Sequence, residues 1–135
     1  MKKFPAMSRT LELFRDAGYQ CEIVERWIPG AGIRKDFLGC IDMMAMRPGK
    51  ERIVGVQVFT TAWTEHRRKI CEEYPDGADF WLSCGHKLVF IGWRKMKVKR
   101  GGKAIKWVPR IGRVYKKKGT LILKEYDNLI RSLRK

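Results

Sequence analysis

The sequence predicts an α/β domain in which helices pack around one sheet. Three observations lead there. Strand-length apolar segments are bounded by Gly and Pro, stretches of helical spacing interrupt them, and 135 residues is one domain's length, enough to bury a core without staples. The order read along the chain is helix, three strands, helix, two strands, then a basic appendage. The expected division of the single domain 1–135 is a core over residues 7–93, a basic ribbon over 94–118 and a C-terminal helix over 121–134.

Each element has its own warrant. Met7, Leu11, Phe14 and Ala17 recur at helical spacing, with Ser8 as cap and Gly18 as stop. Tyr19–Ile28 alternates apolar and polar and reads as a strand, and Pro29–Gly32 as a loop. Gly39–Met46 and Ile53–Val58 are two apolar strands around a Pro48–Gly49–Lys50 turn. Thr60 and Thr61 lead into a helix with Trp63, Arg67, Ile70 and Tyr74 on one face, ended at Pro75–Gly77. Asp79–Cys84 and Lys87–Trp93 read as strands about Gly85, and Met96–Arg100 with Lys103–Trp107 as a basic ribbon turned at Gly101–Gly102.

The hairpin about Gly49 and Lys50 is the most informative segment. Its register sets Met46 against Ile53, Met44 against Gly55, and Asp42 against Gln57. Opposed residues lie about 5 Å apart at Cβ, so both oxygens can reach one hard cation. A lone carboxylate in an apolar strand is costly unless it is paired or binds metal.

Charge points the same way. The formal net charge is +16, and Arg94–Lys118 holds 12 Lys or Arg with no acid, leaving 18 basic and 14 acidic residues elsewhere. A basic patch this local, interleaved with Trp93, Trp107 and Tyr115, is the footprint of a polyanion binder. No apolar run approaches the roughly 18 residues of a membrane span, so no membrane partner is expected. Met1–Pro5 has no apolar signal stretch, which predicts a cytoplasmic protein. Cys21, Cys40, Cys71 and Cys84 form no CxxC and read as reduced, mostly buried thiols. Cys71, Cys84 and His86 match no standard zinc spacing.

The order α-β-β-β-α-β, with Asp42 on the second strand and Gln57 on the third, resembles the PD-(D/E)XK nuclease superfamily. Gly39–Cys40–Ile41–Asp42–Met43–Met44–Ala45 is similar to the Gly-x-x-Asp-hydrophobic-hydrophobic-Ala segment of archaeal Holliday-junction resolvases and related phage nucleases. Val54–Phe59 looks like the strand that carries Glu-x-Lys there. The likeness covers residues 7–93 and implies a restriction-endonuclease-like αβββαβ core, a central mixed sheet flanked by helices. Asp42 matches the metal-binding Asp and Gln57 the second ligand.

Two departures stand out. The family's Glu is Gln57, which removes one negative charge, and its Lys position is Phe59, which cannot orient water or meet a charged phosphate. Lys69, with Arg68 beside it, is the candidate replacement, or that run is a solvated helix face. Glu25 is the candidate for the missing carboxylate, or an exposed strand residue beside Arg26. Asp36 has the parity of Asp42, but six residues of regular strand would separate them by about 20 Å. It is therefore a loop residue orienting Arg34 or Lys35, or a secondary ligand if Gly39 bends the strand.

The resemblance implies hydrolysis of DNA phosphodiesters, probed best on branched or duplex DNA, with Mg²⁺ or Mn²⁺ held by Asp42, Gln57 and Glu25. Phosphate contacts are expected from Arg34, Lys35, Arg68, Lys95, Lys97, Lys99, Arg100, Lys103 and Lys106. A homodimer is expected, since cutting two strands needs two sites, with Trp81, Trp93, Trp107 and the C-terminal helix (Leu123, Ile130, Leu133) as interface candidates. Two alternatives stay open: a catalytically inactive nuclease-fold DNA binder, and a basic RNA-associated protein.

Overall fold

Helix α1 (Ala6–Asp16) starts after Pro5, whose missing N–H costs nothing at a helix start. The structure is a computed structural model describing residues 5–50 and 52–134, and the side chain of Arg34 lies outside the described residues. Ser8 lies inside α1 and makes no cap. Thr10, fully buried, donates to Ala6 O (2.7 Å) and accepts from Trp93 Nε1 (2.8 Å), which fixes the helix to the sheet.

The predicted strand Tyr19–Ile28 is two strands, β1 (Gln20–Ile23) and β2 (Arg26–Ile28), and the second forms its own hairpin with β3 (Ile33–Lys35). Next come β4 (Met43–Met46), β5 (Val54–Phe59) and helix α2 (Trp63–Arg68). A π-helical turn, Lys69–Glu73, continues α2, with Tyr74 N–H donating to Lys69 O at 2.8 Å. Helix α3 spans Asp76–Ser83, so the predicted strand Asp79–Cys84 is a helix. Ala78 and Trp81 are its buried residues, an i, i+3 pair that outweighs the aromatic strand propensity of Phe80–Trp81.

Strands β6 (Lys87–Lys97), β7 (Ile105–Lys117) and β8 (Thr120–Tyr126) complete a six-stranded mixed sheet of order β1-β4-β5-β6-β7-β8. The β5–β6 pair is parallel and the other neighbours are antiparallel. A parallel pair needs a crossover, and α2, the π turn and α3 provide it. The predicted C-terminal helix over 121–134 is instead β8 followed by one short helix, α4 (Leu129–Ser132). The basic ribbon is an extension of β6 and β7 rather than an appendage.

Alternation divides the core. Val54, Val56, Val89, Ile91 and Met43 face α1 and α4 with Phe14, Leu129 and Leu133. Phe59, Leu88, Phe90 and Ile41 face α2 and α3 with Ile70, Ala78 and Trp81. Trp81 and Trp93 are thus core residues, 5% and 7% exposed, which removes them from a dimer interface. Leu133 is buried too, and of the proposed interface apolars Ile130 is exposed. The cysteines are all free thiols, with Cys84 exposed and the rest buried. Among the described residues, no helix is long and apolar enough to cross a membrane.

Candidate functional site

Asp42 stands just before β4, where three segments meet on its backbone. Its N–H donates to Val56 O (2.8 Å), and its carbonyl accepts from Val24 N–H (2.9 Å) and Glu25 N–H (3.1 Å). Glu25, at the bend between β1 and β2, is drawn against Asp42 by these bonds. The pairs Met43–Val56, Met44–Gly55 and Ala45–Val54 have the register predicted for the hairpin. Carried one pair further, that register sets Asp42 across from Gln57. Asp42 Oδ2 accepts from Val58 N–H at 2.7 Å, tying the carboxylate to β5.

Asp36 reaches the same point because the chain does not continue as a regular strand. Phe37 and Ile41 pair reciprocally, N–H to carbonyl, at 2.9 and 3.0 Å. Leu38 and Gly39 between them both have left-handed φ, 55° and 73°, the pattern of a tight reversal. The flanking Asp36 and Asp42 therefore become neighbours, and the chain bends at Gly39, the condition under which Asp36 is expected as a secondary ligand. Helix α3 seats this turn. A Cβ at Gly77 would lie 1.9 Å from Leu38 O, so only glycine permits the approach. The Phe37 ring also meets Trp81 edge-on at 6.1 Å.

The outcome is a cluster in which one carboxylate oxygen each of Glu25, Asp36 and Asp42 lies within 4.8 Å of the others. Glu25 and Asp36 are half-buried, and Asp42 is 4% exposed. Gln57, 6% exposed, has an Oε1 with no hydrogen-bond partner among the described residues. Burial foremost, then a hydrogen bond with Asp36 and the charges of Asp36 and Glu25, push the Asp42 carboxyl up to about 8, with the Val58 N–H working the other way. Asp42 is buried against two half-buried acids, and like charges this close repel one another. The donors are all oxygen, the set that suits Mg²⁺ or Mn²⁺. A cation held by Glu25, Asp36 and Asp42 would answer their repulsion, and Gln57 on the neighbouring strand carries a neutral oxygen.

The proposed cationic partners are placed less directly. Lys69 is exposed on the π turn, with no recorded contact to the acids. Arg68 pairs with Glu73 at 2.9 Å. Phe59 is buried in an aromatic group with Trp63, His66 and Phe90. His66 is the residue the sequence reading passed over. It stacks on Phe59 at 4.5 Å, and burial, then Lys69, lowers its pKa against the opposing pull of Asp36 and Glu65. It thus lies within the electrostatic reach of Asp36. Its signal was available: His66 shares a helix with Trp63, one turn on.

The basic ribbon has the predicted turn. Val98 N–H donates to Ala104 O (3.0 Å) and Gly102 N–H to Lys99 O (2.9 Å). Lys95, Lys97, Lys99, Arg100, Lys103 and Lys106 are all exposed. Lys95 pairs with Trp107 across the strands, and its Nζ lies 5.3 Å from that ring's centroid. Lys106, opposite Met96, projects from the other face, so both faces of the ribbon carry charge. Gln57 pairs with Phe90, and Lys95 is five residues further along β6, about 17 Å at strand rise. The ribbon therefore leaves the sheet at the end beyond Gln57. Lys35 is exposed on β3.

No protein-family model, no curated protein and no solved structure matches this chain.

Proposed function

We propose that the protein is a metal-dependent DNA endonuclease of the PD-(D/E)XK kind, structure-specific in the manner of Holliday-junction resolvases. The observation that carries this is the convergence of Glu25, Asp36 and Asp42 within 4.8 Å, with Gln57 across from Asp42 and its buried Oε1 without a hydrogen-bond partner among the described residues. The element order supports it: α1, β1, β4, β5, α2, β6 is an αβββαβ sequence, with the β2–β3 hairpin inserted after the first strand. The site sits near the end of the sheet from which the basic ribbon projects. Fold likeness alone does not establish activity, so the reading rests on the site.

Glu25, Asp36 and Asp42 would hold Mg²⁺ or Mn²⁺, with Gln57 as a neutral fourth donor. Such an ion, when bound, lowers the pKa of a coordinated water and neutralises charge at the phosphorus oxygens. The chain's own residues do the rest. Asp42, anchored by Val58 N–H and by backbone bonds to β5 and to the Val24–Glu25 bend, would hold the ion in one place against the sheet. His66, its pKa lowered by burial within the electrostatic reach of Asp36, would be a proton acceptor there. The ribbon lysines hold the DNA backbone without reading its bases. Two copies of the chain, as a homodimer, would present two such sites to two strands.

Incubation with branched and linear DNAs in Mg²⁺, Mn²⁺ or EDTA tests this directly. Cleavage that needs the metal and is lost in Asp42→Asn supports the reading. One specific observation favours a second reading, an inactive nuclease-fold DNA binder: Phe59 is packed where the family places lysine, and Lys69 makes no recorded contact with the acids. DNA binding without metal-dependent cleavage on any substrate of the panel would select it.

A further inference from the structure

The opposite face of the sheet, at its other end, carries a second constellation of the contrary sign. A cleft of about 860 Å³ is lined by Lys50, Arg52, Lys87, Arg113 and Arg134, with Tyr19 and Leu133 among its walls. No described acidic residue lines it. Lys87 pairs with Val54 at the start of β5, and Arg113 pairs with Val89, whose side chain belongs to the α1–α4 core. The cleft is therefore on the α1–α4 side, whereas the residues that alternate with Val54 and Val56 on β5, Gln57 among them, face α2 and α3.

Part of this charge has a structural duty. Arg113 donates to Ser132 O (3.2 Å) and Arg134 O, and Lys87 Nζ donates to Leu133 O. Both thus cap the last carbonyls of α4, the usual place for cations at a helix C-terminus. That duty leaves much unaccounted for. Arg113 is 9% exposed and its guanidinium also lies over the Tyr115 ring, 4.6 Å from the centroid, while its buried Nε has no hydrogen-bond partner among the described residues. Lys50 and Arg52 are exposed and have no recorded ion pair with any described acid. Lys87 is held below the usual lysine range by burial first, then by Arg113, Lys50, Arg52 and Arg47. Cations gathered this way repel one another, a cost that a bound polyanion turns into attraction. Guanidinium forks with free donors match phosphate oxygens in particular.

We propose that this cleft is a phosphate-binding site separate from the carboxylate cluster, taking either the terminal phosphate of a nucleic-acid strand or a free oligophosphate. Arg113 and Lys87 form its floor, and Lys50, Arg52 and Arg134 its rim. The inference does not depend on the endonuclease reading, since it requires no metal and no cleavage.

The test is calorimetric titration of the full chain with tripolyphosphate, in EDTA and at about 150 mM salt, where distant charges are screened. Wild type should bind saturably. Lys50→Ala/Arg52→Ala should weaken binding by about tenfold or more, a modest figure for two charge-assisted contacts. Lys95→Ala/Lys97→Ala/Lys99→Ala on the ribbon should leave it unchanged. Lys50 and Arg52 are exposed, so thermal melts of that variant should match wild type. A second arm compares a short single-stranded oligonucleotide with and without a 5′-phosphate. A preference for the phosphorylated strand that vanishes in Lys50→Ala/Arg52→Ala identifies a strand end as the source. No such preference, with tripolyphosphate binding intact, identifies free oligophosphate. Absence of saturable tripolyphosphate binding, or equal weakening by the ribbon variant, overturns the proposal.

Discussion

Asp42 concentrates the chemistry of the candidate site, and its protonation makes the site testable without any substrate. Its carboxyl is pushed from 3.8 to about 8, burial being the largest cause. In the cation-free protein the folded state therefore keeps a proton that the unfolded chain releases near pH 4. Stability should be greatest below about pH 4 on this account, and should fall as pH rises towards 8, by on the order of a few kcal/mol. Melting temperatures measured in EDTA across that range would show the decline. Mg²⁺ or Mn²⁺ should restore stability most at pH 8, and Asp42→Asn should flatten the pH slope and abolish the metal effect. A metal effect that survives Asp42→Asn would remove Asp42 from the ligand set. Asp42 and Gln57 were legible in the sequence because a two-strand register is a local property, fixed by a Pro-Gly turn. Asp36 was not fully so. Its approach depends on two successive left-handed residues, and Leu38 gives no hint that it adopts one.

At the scale of elements, the turn that carries Asp36 is held from outside by α3. Gly77→Ala should force Leu38 O away and cost about 2 kcal/mol or more, with a parallel loss of Mn²⁺ affinity measured by titration. Loss of stability with unchanged Mn²⁺ affinity would separate the turn from the site. The ribbon makes its own prediction. If about six of its cations meet phosphates, DNA affinity should fall on the order of a thousandfold between 50 and 200 mM salt, and replacing Lys95, Lys97 and Lys99 by Ala should flatten the log–log salt slope by about three units. An unchanged slope would put the DNA elsewhere on the surface. Elements with one dominant local signal were readable: α1, the β4–β5 hairpin and the ribbon turn. Two were misread for physical reasons. Asp79–Cys84 reads as a strand through its aromatics, although Pro75 and the acids in the first turn of α3 are helix-start features. Residues 121–134 read as helical, although a hairpin turn at Lys118–Gly119 with both φ positive pairs β8 to β7 from Lys117–Thr120 onward. Lysine is a poor advertisement for such a turn.

For the whole molecule, the sheet has two distinct ends, with the carboxylate cluster towards the ribbon and the cationic cleft by α4. Charge balance alone gave the basic excess, but only the fold divides it into ribbon and cleft, since Lys50, Arg52, Lys87, Arg113 and Arg134 are scattered along the chain. The homodimer is a property of this scale too. With Trp81 and Trp93 in the core, sedimentation at micromolar concentration with and without DNA should still give twice the chain mass if two strands are cut together. A monomer in both conditions would instead predict nicking of single strands. The central claim is metal-dependent hydrolysis of DNA, and it is tested most directly by one assay. Wild type and Asp42→Asn are incubated with four-way junctions, flaps, nicked and plain duplex in Mg²⁺, Mn²⁺ or EDTA. The account predicts cleavage by wild type in metal but not in EDTA, and a loss of about a thousandfold or more in Asp42→Asn, a change of about 4 kcal/mol in transition-state stabilisation, with DNA binding retained. Undiminished cleavage by Asp42→Asn, or no cleavage by wild type of any substrate in either metal, would contradict it.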